Sequence, residues 1–268
     1  MEDMRQAYRE SAFSCEREGL TIRGTEYRPA GERLPIAIVS HGFGANQEST
    51  RGYAKQLAGW GFLAYCFDFC GGCVEGSSDG KTRDMSVFTE VKDLEAALGY
   101  AREREYSDEN RVVLMGCSQG GFVSALAAAK GENRVGKIVL FYPALCIPDD
   151  ARRGKMILAE FDPQNIPEEV PCGPMLLGRH YIADVIELNP YDLLAPFAGD
   201  VLLVHGTGDD LVDVRYSREA FARYREETEK RGLDRQVVLQ EIAGGAHGFS
   251  EEHDVLAMGY VEKFLRGE

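Results

Sequence analysis

The chain has 268 residues, 44% hydrophobic and 28% charged, the make-up of a globular protein long enough for one large α/β domain with an insertion or for two small domains. Its 30 basic and 44 acidic residues leave a net charge of −14, a field that repels phosphate backbones and anionic bilayers, so neither nucleic acid nor a membrane is expected as a partner. The polar opening MEDMRQAYRE has no apolar signal core, no apolar run reaches the length of a membrane span, and seven scattered cysteines, an odd count, point to a reduced, cytoplasmic setting.

Taken in chain order, residues 13–28 alternate polar and apolar as two strands of an antiparallel edge pair. Ile36-Ala-Ile-Val-Ser40 is a continuous apolar strand, followed by the glycine-rich His41-Gly-Phe-Gly44 and a helix over residues 49–60. The next strand covers residues 62–69. A glycine- and serine-rich loop then leads to a helix with Val87, Val91, Leu94 and Leu98 on one face. This loop holds Cys70-Gly-Gly-Cys73, which lacks the second ligand pair of a zinc site and reads as a structural turn.

Val112-Val-Leu-Met115 is a buried strand, and an alanine-rich helix follows from Ser118 to about residue 130. Residues 137–142, 201–204 and 236–242 complete the strands, with helices over 215–231 and 253–266. Continuous apolar strands alternating with helices predict a mostly parallel central sheet covered on both faces. Residues 146–192 interrupt the alternation with six prolines and no period. A structureless loop of that length is out of place in a compact domain, so this stretch reads as an inserted lid between two parts of one core, 1–145 and 193–268.

The chemistry concentrates at Gly116-Cys-Ser-Gln-Gly120, a G-x-S-x-G between an apolar strand and a helix. There a sharp turn exposes Ser118 as a nucleophile, the flanking glycines avoid collisions, and the helix start turns its amides toward the serine oxygen. The alternative is a serine that merely caps the helix. A hydroxyl needs a base. Of five histidines, His247 lies in Gly244-Gly-Ala-His-Gly-Phe249, between the last strand and the last helix, where an open α/β sheet gathers its active-site loops. The base needs an orienting carboxylate, and Asp209 follows a strand at the same edge. Asp210, Asp213 and the pair Asp149-Asp150 are the other options. The oxyanion hole is expected from the amides of Gln119 and Phe43, with Gly42 and Gly44 letting the second loop approach and His41 bracing it.

These segments, in this order, resemble the α/β-hydrolase superfamily. The HGF and SQGG motifs, Phe67-Asp-Phe69 before a glycine-serine loop, and the proline-rich insert are similar to the bacterial cinnamoyl/feruloyl esterases. The resemblance implies an α/β-hydrolase fold with a small lid. It also implies a serine carboxylic-ester hydrolase that works through an acyl-enzyme on small hydroxycinnamate esters, with no metal or organic cofactor. In such esterases the lid supplies polar groups to the ring hydroxyls, and matching the insert assigns that role to Tyr181, with Asp150 behind it. Each also has a plainer reading, as packing and as a turn residue. The cysteine-rich loop departs from the family, as do Arg152 and Arg153, which would suit an acidic leaving group. A short-chain esterase, monoacylglycerol lipase, thioesterase or peptidase would share every catalytic residue. A non-catalytic binding protein on the same fold and a redox or metal role for the CGGC loop are the other classes, and homodimerisation is left open.

Overall fold

In the computed structural model, which describes residues 7–268, the chain opens with two long strands, β1 (Tyr8–Arg17) and β2 (Leu20–Pro29), paired antiparallel as expected. Part of the polar opening segment, residues 1–6, lies outside the described residues. The parallel part follows with β3 (Leu34–Ser40), α1 (Arg51–Gly59), β4 (Leu63–Phe67), α2 (Val87–Arg102), β5 (Ser107–Cys117), α3 (Gln119–Ala129) and β6 (Lys137–Phe141). Between β6 and the next strand of the sheet lie α4 (Ile147–Arg152), the hairpin of β7 (Lys155–Met156) and β8 (Ala159–Glu160), and the hairpin of β9 (Glu169–Cys172) and β10 (Met175–Gly178). Two short helices follow there, α5 (Arg179–Ala183) and α6 (Pro190–Leu194). The chain closes with β11 (Asp200–Gly206), α7 (Arg215–Arg231), β12 (Val237–Ile242) and α8 (Glu251–Arg266).

The eight sheet strands run in the order β1-β2-β4-β3-β5-β6-β11-β12. Only the pairings of β2 with β1 and β4 are antiparallel; from β4 to β12 every neighbour is parallel. Strand alternation sorts the apolar side chains onto two faces. On one face Ile36, Ile38, Leu114, Ile138, Leu140 and Leu203 pack beneath α2, α3 and α7. On the other, Ala37, Val39, Met115, Val139 and Val204 pack against α1 and α8. Covering on both sides explains why the central strands read as unbroken apolar runs.

The helices begin and end where their chemistry dictates. Ser86 and Thr89 form a reciprocal capping box at the start of α2. Ser250 accepts from the His253 amide at the start of α8, and Gly232 and Gly267 take left-handed conformations that close α7 and α8. Helix α3 is buried almost throughout and rich in alanine and glycine, whose small side chains let it lie close on the sheet.

The residues expected to form an insert carry short regular elements, the last of which, α6, runs two residues beyond residue 192. Val170, Leu177, Tyr181, Ile182 and Val185 are fully or almost fully buried and belong to the same apolar core as α2 and α3. The segment therefore sits on the sheet's carboxyl edge as a packed roof rather than as a separately cored unit.

Candidate active site

At the end of β5 the backbone turns into α3 through Ser118, whose φ of 54° and ψ of −121° lie in the left-handed half of conformational space. A non-glycine residue held there costs on the order of 1–3 kcal/mol, which the flanking structure must impose. Gly116 and Gly120 make the turn possible, because a Cβ on Gly116 would strike the Gly120 carbonyl and one on Gly120 the His41 carbonyl. Ser118 makes no side-chain cap to the helix. Its Oγ lies 2.9 Å from Nε2 of His247.

His247 stands on the loop between β12 and α8, with Nδ1 2.8 Å from Oδ2 of Asp209 on the loop after β11. Asp209 is completely buried at its side chain, while the imidazole is 17% exposed. Burial opposes ionisation of the Asp209 carboxyl, but hydrogen bonds from His205, His247 and the Val212 amide overcome it and hold the group well below the usual carboxylate range. Its second oxygen accepts from the amides of Leu211 at 3.0 Å and Val212 at 2.8 Å. With the Nδ1 proton fixed on this anion, Nε2 is left as the acceptor for the Ser118 hydroxyl. Asp210 is exposed, and Asp213 is occupied in accepting the Arg215 amide at 2.9 Å.

The role of His205 was missed in the sequence. Its buried ring directs Nε2–H toward Oδ2 of Asp209 at 3.2 Å and the Val212 carbonyl at 2.8 Å, and Nδ1 meets the Ser217 hydroxyl at 2.6 Å. The four-residue spacing of His205-Gly-Thr-Gly-Asp209 is the signal that would have found it.

Across Ser118 lies the loop after β3. The Phe43 and Gln119 amides, the two expected oxyanion donors, have no hydrogen-bond acceptor among the described residues. The loop is held from behind. The Phe69 amide donates to Nε2 of His41 at 3.1 Å, Nδ1–H of His41 donates to the Gly42 carbonyl at 2.8 Å, and the Gly44 amide donates to the Gly72 carbonyl at 3.1 Å. Burial holds His41 below its ordinary pKa, so it braces the loop as a neutral ring. Gly42 leaves room for Ser118, since a Cβ on it would sit 3.1 Å from the serine Cβ. The Cys70-Gly-Gly-Cys73 turn thus supports the loop facing Ser118. Both thiols are free, and burial pushes that of Cys70 up to about 12.

Two clefts meet at Ser118, sharing Phe43, Ile157 and Leu211 as a rim. The first is narrow, runs under the roof and is lined by Gln119, Ile147, Asp150, Met156 and Tyr181. The second is wider and more open, and is lined by His247, Tyr142, Phe249, Tyr53 and Asp254.

Tyr181 is 1% exposed, and its hydroxyl donates to Oε1 of Gln119 at 2.5 Å. The Gln119 amide group in turn donates to Glu90 at 2.8 Å, a carboxyl that complete burial raises well above its ordinary range. Glu90 was also missed, although a glutamate between Val87 and Val91 on an apolar helix face is a legible anomaly. Asp150 pairs with Arg153. Arg152 pairs with Asp149 and donates to the Ile186 and Leu188 carbonyls at 2.7 and 3.1 Å. Neither arginine lines a cleft, so the expectation that they receive an acidic leaving group is corrected: Arg152 ties α4 to residues 186–188 of the roof, and Arg153 pairs locally with Asp150.

A mostly parallel sheet, a strained serine on a strand-to-helix turn and a histidine and aspartate on later loops of the same edge define the α/β-hydrolase class. Residues 32–171, more than half of the chain, match the model of the family described as serine aminopeptidase, S33, and the chain belongs to that family. Both the family and the fold are those of serine hydrolases.

It is similar over 95% of its length, and 98% of the other chain, to Est1E from Butyrivibrio proteoclasticus, solved with ferulic acid bound, at 25% identity and a TM-score of 0.83. It is 31% identical over 116 residues to the quorum-quenching protein AidA of Acinetobacter baumannii, a stretch covering 42% of this chain and 37% of that protein. It is 30% identical over 138 residues to the monoglyceride lipase of Rattus norvegicus, covering 50% and 43% of the two chains. The aligned stretches span less than half of these curated relatives. No helix among the described residues is long and apolar enough to cross a membrane.

Proposed function

We propose that the protein is a carboxylesterase that acts through an acyl-enzyme on Ser118, with hydroxycinnamate esters as its substrates. The observation that carries this reading is the chain of contacts from Ser118 to His247 to Asp209, 2.9 and 2.8 Å, beside two amides with no other acceptor. His247 takes the hydroxyl proton as Ser118 Oγ attacks the ester carbonyl. The negative charge on the carbonyl oxygen falls to the Phe43 and Gln119 amides. The tetrahedral species collapses as His247 returns the proton to the departing alcohol. Water, deprotonated by the same ring, then releases the acid and restores Ser118.

The acyl group is read from the cleft under the roof. It is narrow and mostly apolar, with the rings of Phe43 and Tyr181 among aliphatic side chains, a lining suited to a flat ring, and Asp150 is available for a ring hydroxyl. Tyr181 contributes its ring to the wall while its hydroxyl anchors Gln119. The likeness to Est1E, solved with ferulic acid bound, supports the same class of acid. A monoacylglycerol lipase is the second reading, favoured by the rat relative and by the exposed apolar rim of Leu158, Ile157 and Leu211 beside the clefts.

The deciding measurement is kcat/KM for methyl ferulate against p-nitrophenyl butyrate and a long-chain monoacylglycerol. Preference for the ferulate supports the proposal, and preference for the acylglycerol replaces it with the second reading. Ser118→Ala should lower turnover by at least about 10,000-fold with an unchanged circular dichroism spectrum. Near-native turnover by that variant would remove Ser118 from the mechanism.

A further inference from the structure

The two clefts are not equivalent with respect to the proton. His247 lines the second cleft and not the first, whereas Gln119 lines the first and not the second. In acyl transfer from an ester, the base that deprotonates the nucleophile must hand its proton to the leaving oxygen, so the alcohol has to depart on the histidine's side. The acyl chain then occupies the opposite cleft. This division follows from the position of one ring and needs no knowledge of either group.

The composition of the histidine-side cleft limits what that alcohol can be. Its inner wall is aromatic, with Tyr142 packed 4.7 Å from the His247 ring and edge-on to Phe249 at 4.8 Å. Its far end is polar. Tyr53 donates its hydroxyl to Oδ1 of Asp254 at 2.5 Å, which leaves Oδ2 as an acceptor, and the Ser49 and Thr50 hydroxyls donate to the Asn46 and Gln47 carbonyls and keep their oxygens as acceptors. No lysine or arginine is among its lining residues, and His247 is the one lining side chain that can carry positive charge. Burial raises the Asp254 carboxyl above its ordinary range, against the hydrogen bond from Tyr53.

We propose that the cleft formed by Tyr53, Tyr142, Phe249 and Asp254 is the leaving-group site, and that it takes a neutral polyol of glycerol to sugar size in preference to an alcohol bearing a carboxylate. The proposal rests on the acyl-enzyme reading of Ser118. In the step concerned, the bond from Ser118 Oγ to the acyl carbon forms and the bond from that carbon to the polyol oxygen breaks. The proton drawn from Ser118 passes through His247 to the released polyol. Hydroxyls of the polyol donate to Asp254 Oδ2, and its C–H faces lie on the aromatic wall. A carboxylate in the same place meets Asp254 with no lysine or arginine beside it to offset the repulsion.

The test uses alcohols of similar size, glycerol and glycerate, in which one CH2OH group is exchanged for a carboxylate, each as its feruloyl and its acetyl ester. Within one acyl series deacylation is shared, so the ratio of kcat/KM values reports the alcohol alone. The glycerol ester is expected to exceed the glycerate ester by roughly tenfold or more in each series, the scale of one uncompensated like-charge contact. Asp254→Asn should bring that ratio close to one, and Tyr53→Phe, which keeps the carboxylate, should preserve it. Equal rates, preference for glycerate, or a ratio that Asp254→Asn leaves untouched overturns the assignment. If only the acetyl esters are cleaved, the hydroxycinnamate reading fails and the acetyl pair still decides the leaving-group site. Cleavage of none of the four overturns both.

Discussion

At the scale of single residues, the site is governed by how a buried anion is satisfied. Asp209 gathers four donors, two amides and two imidazoles, and this set outweighs the cost of burying its charge. Because its carboxyl is held below the ordinary range, its contribution to stability is present above the unfolded carboxylate pKa and is lost only as pH falls through the lower folded value. His205 supplies one of those donors without touching either cleft. His205→Phe, which keeps the ring volume and removes its hydrogen bonds, is expected to lower kcat roughly 10–100-fold with little change in KM, the effect of removing one hydrogen bond to a charged group. Steady-state kinetics on methyl ferulate or p-nitrophenyl acetate checks it, and a change confined to KM would contradict it. His247, Asp209 and Ser118 were legible because each follows a strand with glycine beside it. His205 was not, because its function depends on where its ring turns.

At the scale of elements, α2 and the roof are joined through the residue after Ser118. The run Glu90–Gln119–Tyr181 links a buried carboxyl of α2, the first residue of α3 and the side chain of α5. Burial keeps Glu90 protonated in the folded chain well above the pH at which it ionises when unfolded. A raised carboxyl pKa stabilises the fold fully below the unfolded value and loses that contribution as pH rises toward the folded one. Glu90→Gln retains an acceptor for Gln119 and has no proton to lose. Its melting temperature should therefore vary less with pH between about 5 and 9 than that of the native chain, and should exceed it at the alkaline end. Thermal melts across that range test this; parallel curves would show that Glu90 does not titrate there. Element order and type were readable from apolar period and glycine punctuation. The short pieces of the roof were not, since strands of two to four residues carry no usable period.

At the scale of the whole molecule, the roof and the sheet share one apolar core. Ile182 and Leu177, both in the roof, are completely buried in it. Unfolding is therefore expected as a single calorimetric transition, and Ile182→Ala should cost about 2–5 kcal/mol and shift that whole transition. A separate low-temperature transition moved alone by the mutation would instead identify an independent lid. The sequence by itself determined the sheet class, the two-sided covering and the chain order of serine, aspartate and histidine, because periodicity and turn chemistry are local properties. It also located the Phe43 loop. Only the tertiary structure decided what those residues meet: the donors around Asp209, the engagement of Arg152 and Arg153 within the roof, and the division of space at Ser118 into two clefts with His247 on one side. Such facts depend on residues distant in sequence converging at one sheet edge, and no local pattern encodes the direction in which a side chain points once it arrives.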